Sequence, residues 1–133
     1  MMRRLVIAAC LCCLAGSGLA APAARPAPAA VLTFERDSEV PREDPQPLIE
    51  PLVARTLAAS GNWVSLEAHT DDHGSRELNL ALGQRRLDAL ERELALKGVP
   101  IQHIRCINHG EEAAERGIRP DPRIEIRIEK IGY

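Results

Sequence analysis

Leu78, Leu82, Arg86, Leu90 and Leu94 follow one another at intervals of four, which places a single arginine inside an apolar series. On a helix each such step turns about 40° from the last, so the series forms a stripe that should meet a core. Leu80 and Leu87 widen this face, whereas Arg76, Glu91 and Arg92 fall where water reaches them. Arg86 is thus the charge that needs an explanation. A guanidinium kept from water costs on the order of several kcal/mol unless an anion compensates it. The nearest candidate in sequence is Asp71, in the loop that enters the same helix, where a carboxylate gains from the helix's positive end. Two arrangements are open. Asp71 and Arg86 pair with each other and staple loop to helix, or they stand a few ångströms apart and form a receptor for a zwitterion. In the second, Asp71 takes an ammonium and Arg86 a carboxylate, through two parallel hydrogen bonds at best. Asn79 lies two turns before Arg86 on nearly the same line. Gly83 between them has no side chain, so something can approach the backbone closely there.

Other reactive types are present without a pattern that uses them. His69, Asp71, Asp72 and His73 crowd into five residues, which is not a zinc-ligand spacing. In His103-x-x-Cys106-x-x-His109 a straight strand would turn the cysteine away from both histidines. No Gly-x-Ser-x-Gly occurs, and Ser75 reads as a helix cap. The expectation is a binder that is not an enzyme and uses no metal or cofactor.

The elements that would hold these residues can be read along the chain. Val31-Leu32-Thr33-Phe34 forms a first strand, and Pro41, Pro45 and Pro47 mark a loop. Leu48, Ile49, Leu52, Val53, Thr56 and Leu57 recur at helical spacing, with Pro51 tolerated if it falls in the first turn. Trp63 to His69 alternates as a half-buried strand, Val64, Leu66 and Ala68 on one side and Ser65, Glu67 and His69 on the other. Ser75 caps a long helix that runs to about Lys97, with Gly98 past its end and Pro100 beyond. Ile101 to Ile107 is a third strand. In the last, Ile124, Ile126 and Ile128 oppose Arg123, Glu125, Arg127 and Glu129. The order βαβαββ predicts an α/β (α+β) two-layer sandwich: a mixed sheet with both helices on its isoleucine face, the other face charged and wet.

Composition narrows the class. Hydrophobic residues at 45% and charged ones at 27% suit one globular domain, and 2% aromatics leave little for stacking on bases or sugars. Residues 1–20 read as a secretory signal peptide: Arg3 and Arg4, an apolar stretch too short to span a bilayer, and Gly18-Leu19-Ala20 as cleavage site. Cleavage removes both arginines and Cys10, Cys12 and Cys13, taking the net charge from −2 to −4 and leaving Cys106 without a disulfide partner. Such a chain attracts neither nucleic acid nor anionic lipid. A competing reading makes Ile7-Ala8-Ala9-Cys10 a lipobox, with an acylated Cys10 attached to the outer membrane. Residues 21–30, nearly all Ala and Pro, read as a linker, and residues 31–133 as the domain.

The run His69-Thr70-Asp71-Asp72-His73-Gly74, then Asn79, then Leu82-Gly83-Gln84-Arg85-Arg86, resembles the motif of the OmpA C-terminal and Pal family of peptidoglycan-binding domains. The likeness covers about residues 31–128. It implies a periplasmic protein of a Gram-negative envelope whose Asp71 and Arg86 hold the ammonium and carboxylate of diaminopimelate in the stem peptide of peptidoglycan. Asn79, Leu82, Thr70, Asp37 and Arg123 would complete the pocket. Where the family carries Asn-Arg-Arg before its final strand, this chain has Asp121-Pro122-Arg123, so only Arg123 is kept, and the preceding loop is short. The alternative is an adaptor that docks other envelope proteins and has lost wall binding.

Overall fold

The computed structural model describes residues 25–115, 117 and 121–131. The expected signal peptide, Cys10, the first part of the linker and parts of the stretch 116–120 lie outside the described residues. The elements are β1 (Ala30–Thr33), α1 (Gln46–Leu57), β2 (Asn62–His69), α2 (Arg76–Leu96), β3 (Ile104–Gly110), α3 (Glu112–Glu115) and β4 (Arg123–Lys130), with a 3-10 turn at Ile101–His103. Four strands form one sheet in the order β1-β4-β2-β3. β4 runs antiparallel to β1 and β2, and β2 parallel to β3, so the sheet is mixed as expected.

Register follows from the apolar alternation. Val64, Leu66 and Ala68 of β2 face Ile128, Ile126 and Ile124 of β4, which puts all six side chains on one side of the sheet. There they meet Ile49 and Leu52 of α1 and Leu87, Leu90 and Leu94 of α2 in a single core, which Leu32, Phe34 and Val99 complete. Burying each such aliphatic side chain contributes about 1.5–3 kcal/mol. The apolar stripe on α2 is therefore real but shifted. Asn79, Leu82, Gly83, Arg86, Leu87, Leu90 and Leu94 are buried, whereas Leu78 is 67% exposed.

The ends of α2 are as the sequence predicts. The Ser75 hydroxyl accepts from the Leu78 N–H at 3.2 Å. At the other end Gly98, at φ +102°, donates to the Ala95 carbonyl and Val99 to that of Leu94, a Schellman closure. Two expectations need correcting. Helix α1 starts at Gln46 rather than near Leu48, because the Pro45 carbonyl accepts from both Leu48 and Ile49. Pro51 thus falls inside the helix, beyond the first turn, where it leaves the carbonyl four residues back without its helical donor. The third strand begins at Ile104, since Ile101–His103 is wound into a 3-10 turn by the bond from His103 N–H to the Pro100 carbonyl.

The other face of the sheet is also corrected: it is charged but not wet. Glu67 is only 3% exposed, and Ser65, Arg123 and Glu125 are buried with it. Glu67 lies directly opposite Glu125 across β2 and β4, a like-charge pairing that destabilises a sheet unless bridged. Arg127 bridges it, donating to Glu67 at 3.3 Å and to Glu125 at 2.7 Å. Arg25 pairs with Glu67 and Glu129, and the Pro26 carbonyl accepts from Arg127, so the segment before β1 lies across this face.

Candidate functional site

The C-terminal ends of β2 and β3, the start of α2 and the loop after β1 converge where Asp71 and Arg86 lie. Arg86 is 2% exposed. Its Nε donates to the Ser38 carbonyl at 2.8 Å and its Nη2 to the Glu35 carbonyl at 3.2 Å, while the Phe34 ring lies 4.5 Å below the guanidinium carbon. These partners are all in one turn, which a bond from Ser38 N–H to Glu35 O closes and in which Asp37 adopts φ +62°. Among the described residues Asp37 is the one non-glycine in this left-handed region, which aspartate tolerates better than most. Among the described residues no carboxylate bonds Arg86, and its Nη1 is buried without a hydrogen-bond partner. Burial lowers the pKa of Arg86, and the charges of Asp71, Asp37 and Glu39 offset part of that shift.

Asp71 is not the partner of Arg86. Its Oδ2 accepts from Arg36 Nε at 2.8 Å and its Oδ1 from the His73 backbone at 3.3 Å. Of the two arrangements left open by the sequence, the direct staple is therefore not the one adopted. Both charges stand at the same end of the sandwich with separate partners.

The remaining candidates fall around them. Thr70 is buried, its N–H bonded to the Gly110 carbonyl at 2.7 Å and its hydroxyl without a partner. Asn79 is buried and donates to the carboxylate of Glu111. Asp37, Asn79 and Leu82 line one cleft of about 160 Å³ with His73. Asp71 lines another, of about 550 Å³, with Glu35, Arg36, Asp72 and Asp121. Arg86 borders a third, of about 100 Å³, beside Phe34 and Glu39. The structure thus brings six of the candidates to one end of the molecule but divides five of them among three recesses, with Thr70 lining none of the three. The loop of residues 35–39 borders all three.

Arg123 stands apart. It lies on the outer face, 3% exposed, donating to Glu125 at 2.9 Å and to the Asp121 carbonyl at 3.2 Å. Beside it the His69 and His109 rings stack with centroids 4.7 Å apart and planes 12° from parallel. Burial first, then the charge of Arg123, pushes the His69 pKa down to about 4. Glu67, His69 and His109 bring donor atoms within 4.8 Å of one another. Nearly parallel stacked rings, however, cannot both point a nitrogen at one ion, and Arg25 and Arg127 already hold Glu67.

Sequence reasoning missed several residues that shape the site. The groove expected over Gly83 is filled by Asn108 of β3: a Cβ at Gly83 would lie 2.5 Å from Asn108 Oδ1. Asn108 in turn donates to the Leu80 carbonyl at 2.7 Å and accepts from Gly110, tying β3 to α2. Arg85 reaches Glu39, and Arg36 reaches Asp71; both are arginines next to residues already singled out, which is the signal that could have found them.

No family model matches the chain. It is similar to the peptidoglycan-associated lipoprotein of Pseudomonas putida, 40% identical over 80 residues, which is 56% of this chain and 48% of that protein. The peptidoglycan-associated lipoprotein of Rhizobium meliloti strain 1021 is 38% identical over 107 residues, 74% of this chain and 60% of that one. The chain therefore spans about half the length of the curated relatives it matches. The crystal structure of the peptidoglycan-associated lipoprotein from Burkholderia pseudomallei aligns with TM-score 0.64 and 25% identity, over 74% of this chain and 89% of that chain. The chain thus has an α+β fold, with a mixed four-stranded sheet and two helices, whose neighbours among solved structures are Pal and OmpA-like domains, and its curated relatives are peptidoglycan-associated lipoproteins.

Proposed function

We propose that this protein is a non-catalytic peptidoglycan binder of the cell envelope, and that it grips the diaminopimelate of the stem peptide between Asp71 and Arg86. The observation that carries the reading is Arg86: a guanidinium withdrawn from water, oriented by two carbonyls, with Nη1 unpaired and, among the described residues, no carboxylate bonded to it. An arginine used only for structure would have a carboxylate, since lone buried charge is costly. A ligand carboxylate supplies the missing anion, and Asp71 offers the matching anion for an ammonium. The hydroxyl of Thr70, also buried and unpartnered, adds a polar contact, and Asn79, Leu82 and Asp37 form the neighbouring wall. The names of the relatives support peptidoglycan as the partner.

In this reading Arg123 does not touch ligand; it fixes Asp121 at the rim of the cleft that Asp71 lines. Export to the periplasm by residues 1–20, with cleavage after Ala20, belongs to the same proposal; the competing route is cleavage before Cys10, whose acylation would attach the protein to the outer membrane. No helix among the described residues is long and apolar enough to cross a membrane.

Co-sedimentation with diaminopimelate-containing sacculi tests the proposal. The wild type is expected in the pellet, and Asp71→Asn and Arg86→Lys in the supernatant with unchanged circular dichroism. A wild type that stays in solution would favour the adaptor reading.

A further inference from the structure

The three recesses at the site end all meet the loop of residues 35–39, and Arg36 is the side chain by which that loop reaches across to the loop after β2. Its guanidinium lies on the carboxylate that the proposed function reserves for an ammonium, with Nε 2.8 Å from Asp71 Oδ2. The two partners differ in setting. The Asp71 side chain is mostly enclosed, whereas that of Arg36 is 57% exposed and can swing into water at little cost. On the far side of the same loop, Arg85 holds Glu39, and Arg86 holds the carbonyls of Glu35 and Ser38.

We infer that Arg36 is an internal competitor for the ligand's ammonium: it occupies Asp71 in the free protein and must leave when the ligand binds. This rests on the zwitterion reading above. The exchange is one of like for like, a guanidinium for an ammonium on one carboxylate, so Asp71 is never stripped of a cation. The same exchange reduces apparent affinity by the fraction of molecules in which Asp71 is already free. Release of Arg36 also unfastens its loop from the loop after β2, between the recess of Asp71 and that of Asp37, so the pocket expected from the sequence becomes continuous only in the displaced state. Arg36 thereby sets the affinity threshold of the site without contributing a bond to the ligand.

Calorimetric titration of meso-diaminopimelate into the wild type, Arg36→Gln and Arg36→Lys tests this. Because an exposed ion pair is weak, Arg36→Gln is expected to bind about three- to fivefold more tightly, and Arg36→Lys close to wild type, with the melting temperature of both nearly unchanged. If the wild type binds and Arg36→Gln binds equally or more weakly, the competitor role is overturned while the receptor stands. If neither binds at millimolar ligand, although both are folded, the receptor reading fails and the competitor role with it.

Discussion

Arg86 and Arg123 are almost equally withdrawn from water, at 2% and 3% exposure, yet their surroundings are opposite in kind. Arg123, on the outer face, sits among carboxylates: Glu125 accepts from it, Asp121 is within ion-pair distance, and Arg127 completes the neutralisation of Glu67 and Glu125. Arg86, at the end of the sandwich, is met by two backbone carbonyls and the face of Phe34, and keeps one nitrogen unpaired. A buried charge with its own counter-charges is complete within the fold. One held in place by neutral dipoles, with carboxylates near but none bonded to it, is oriented and only partly compensated, and that is the condition of a binding group.

The contrast can be broken most forcefully on the outer face. Glu125→Ala removes a carboxylate shared by Arg123 and Arg127, and should cost about 3 kcal/mol in urea unfolding, the lower end for a broken buried pair because Glu67 and Asp121 remain. Asp71→Ala, by comparison, breaks the pair with a largely exposed Arg36 and a long hydrogen bond from the His73 N–H, and should cost about 1 kcal/mol. Equal losses at the two sites would erase the distinction between a structural and a binding carboxylate.

Acid should reach the same network next. His69 is held at about 4 against an ordinary 6.5, so between these values the unfolded chain binds a proton that the folded chain refuses. Stability is therefore expected to fall as pH drops from 6.5 to 4, by on the order of 1 kcal/mol once partial exposure is allowed for. Glu125, whose arginine partners outweigh its burial and hold it at about 2, adds a further loss as pH falls below 4.5. Thermal melts of the wild type and His69→Gln across this range would separate the two: the variant should lack the first decline.

On the helix side the effects are smaller. Gly83→Ala should cost about 1–2 kcal/mol, because its Cβ meets Asn108, whose amide is already held by Leu80 and Gly110. Adding Asn108→Ala should recover part of that loss in a double-mutant cycle. Ser75→Ala should cost about 1 kcal/mol by removing the cap of α2, and additive losses from Ser75 and Gly83 would agree with their separation along the helix.

The sheet and both helices were legible because alternation in β4 and the four-residue repeat in α2 report directly on what must be buried. Arg86 was legible for the same reason, as a charge in an apolar series. The outer face was misread because alternation says which side chains share a face, not what covers it. Glu67 and Arg127 look like a solvated strand face until Arg25 and Pro26 are seen lying across them. The groove at Gly83 was misread because the occupant, Asn108, is distant in sequence. Arg36 escaped notice because an exposed arginine in a loop has no periodicity to betray it; its place beside Asp37 was the one sequence signal, and its contact with Asp71 gives that signal meaning.

The central claim is that Asp71 and Arg86 together receive a zwitterion. Titration of meso-diaminopimelate into the wild type, Asp71→Asn, Arg86→Lys and the double variant addresses it most directly. Each charge-assisted contact is worth roughly 1.5–3 kcal/mol, so each single variant should lose at least about tenfold in affinity and the double variant should show no heat of binding. Undiminished affinity in the double variant would place the ligand elsewhere and contradict the account.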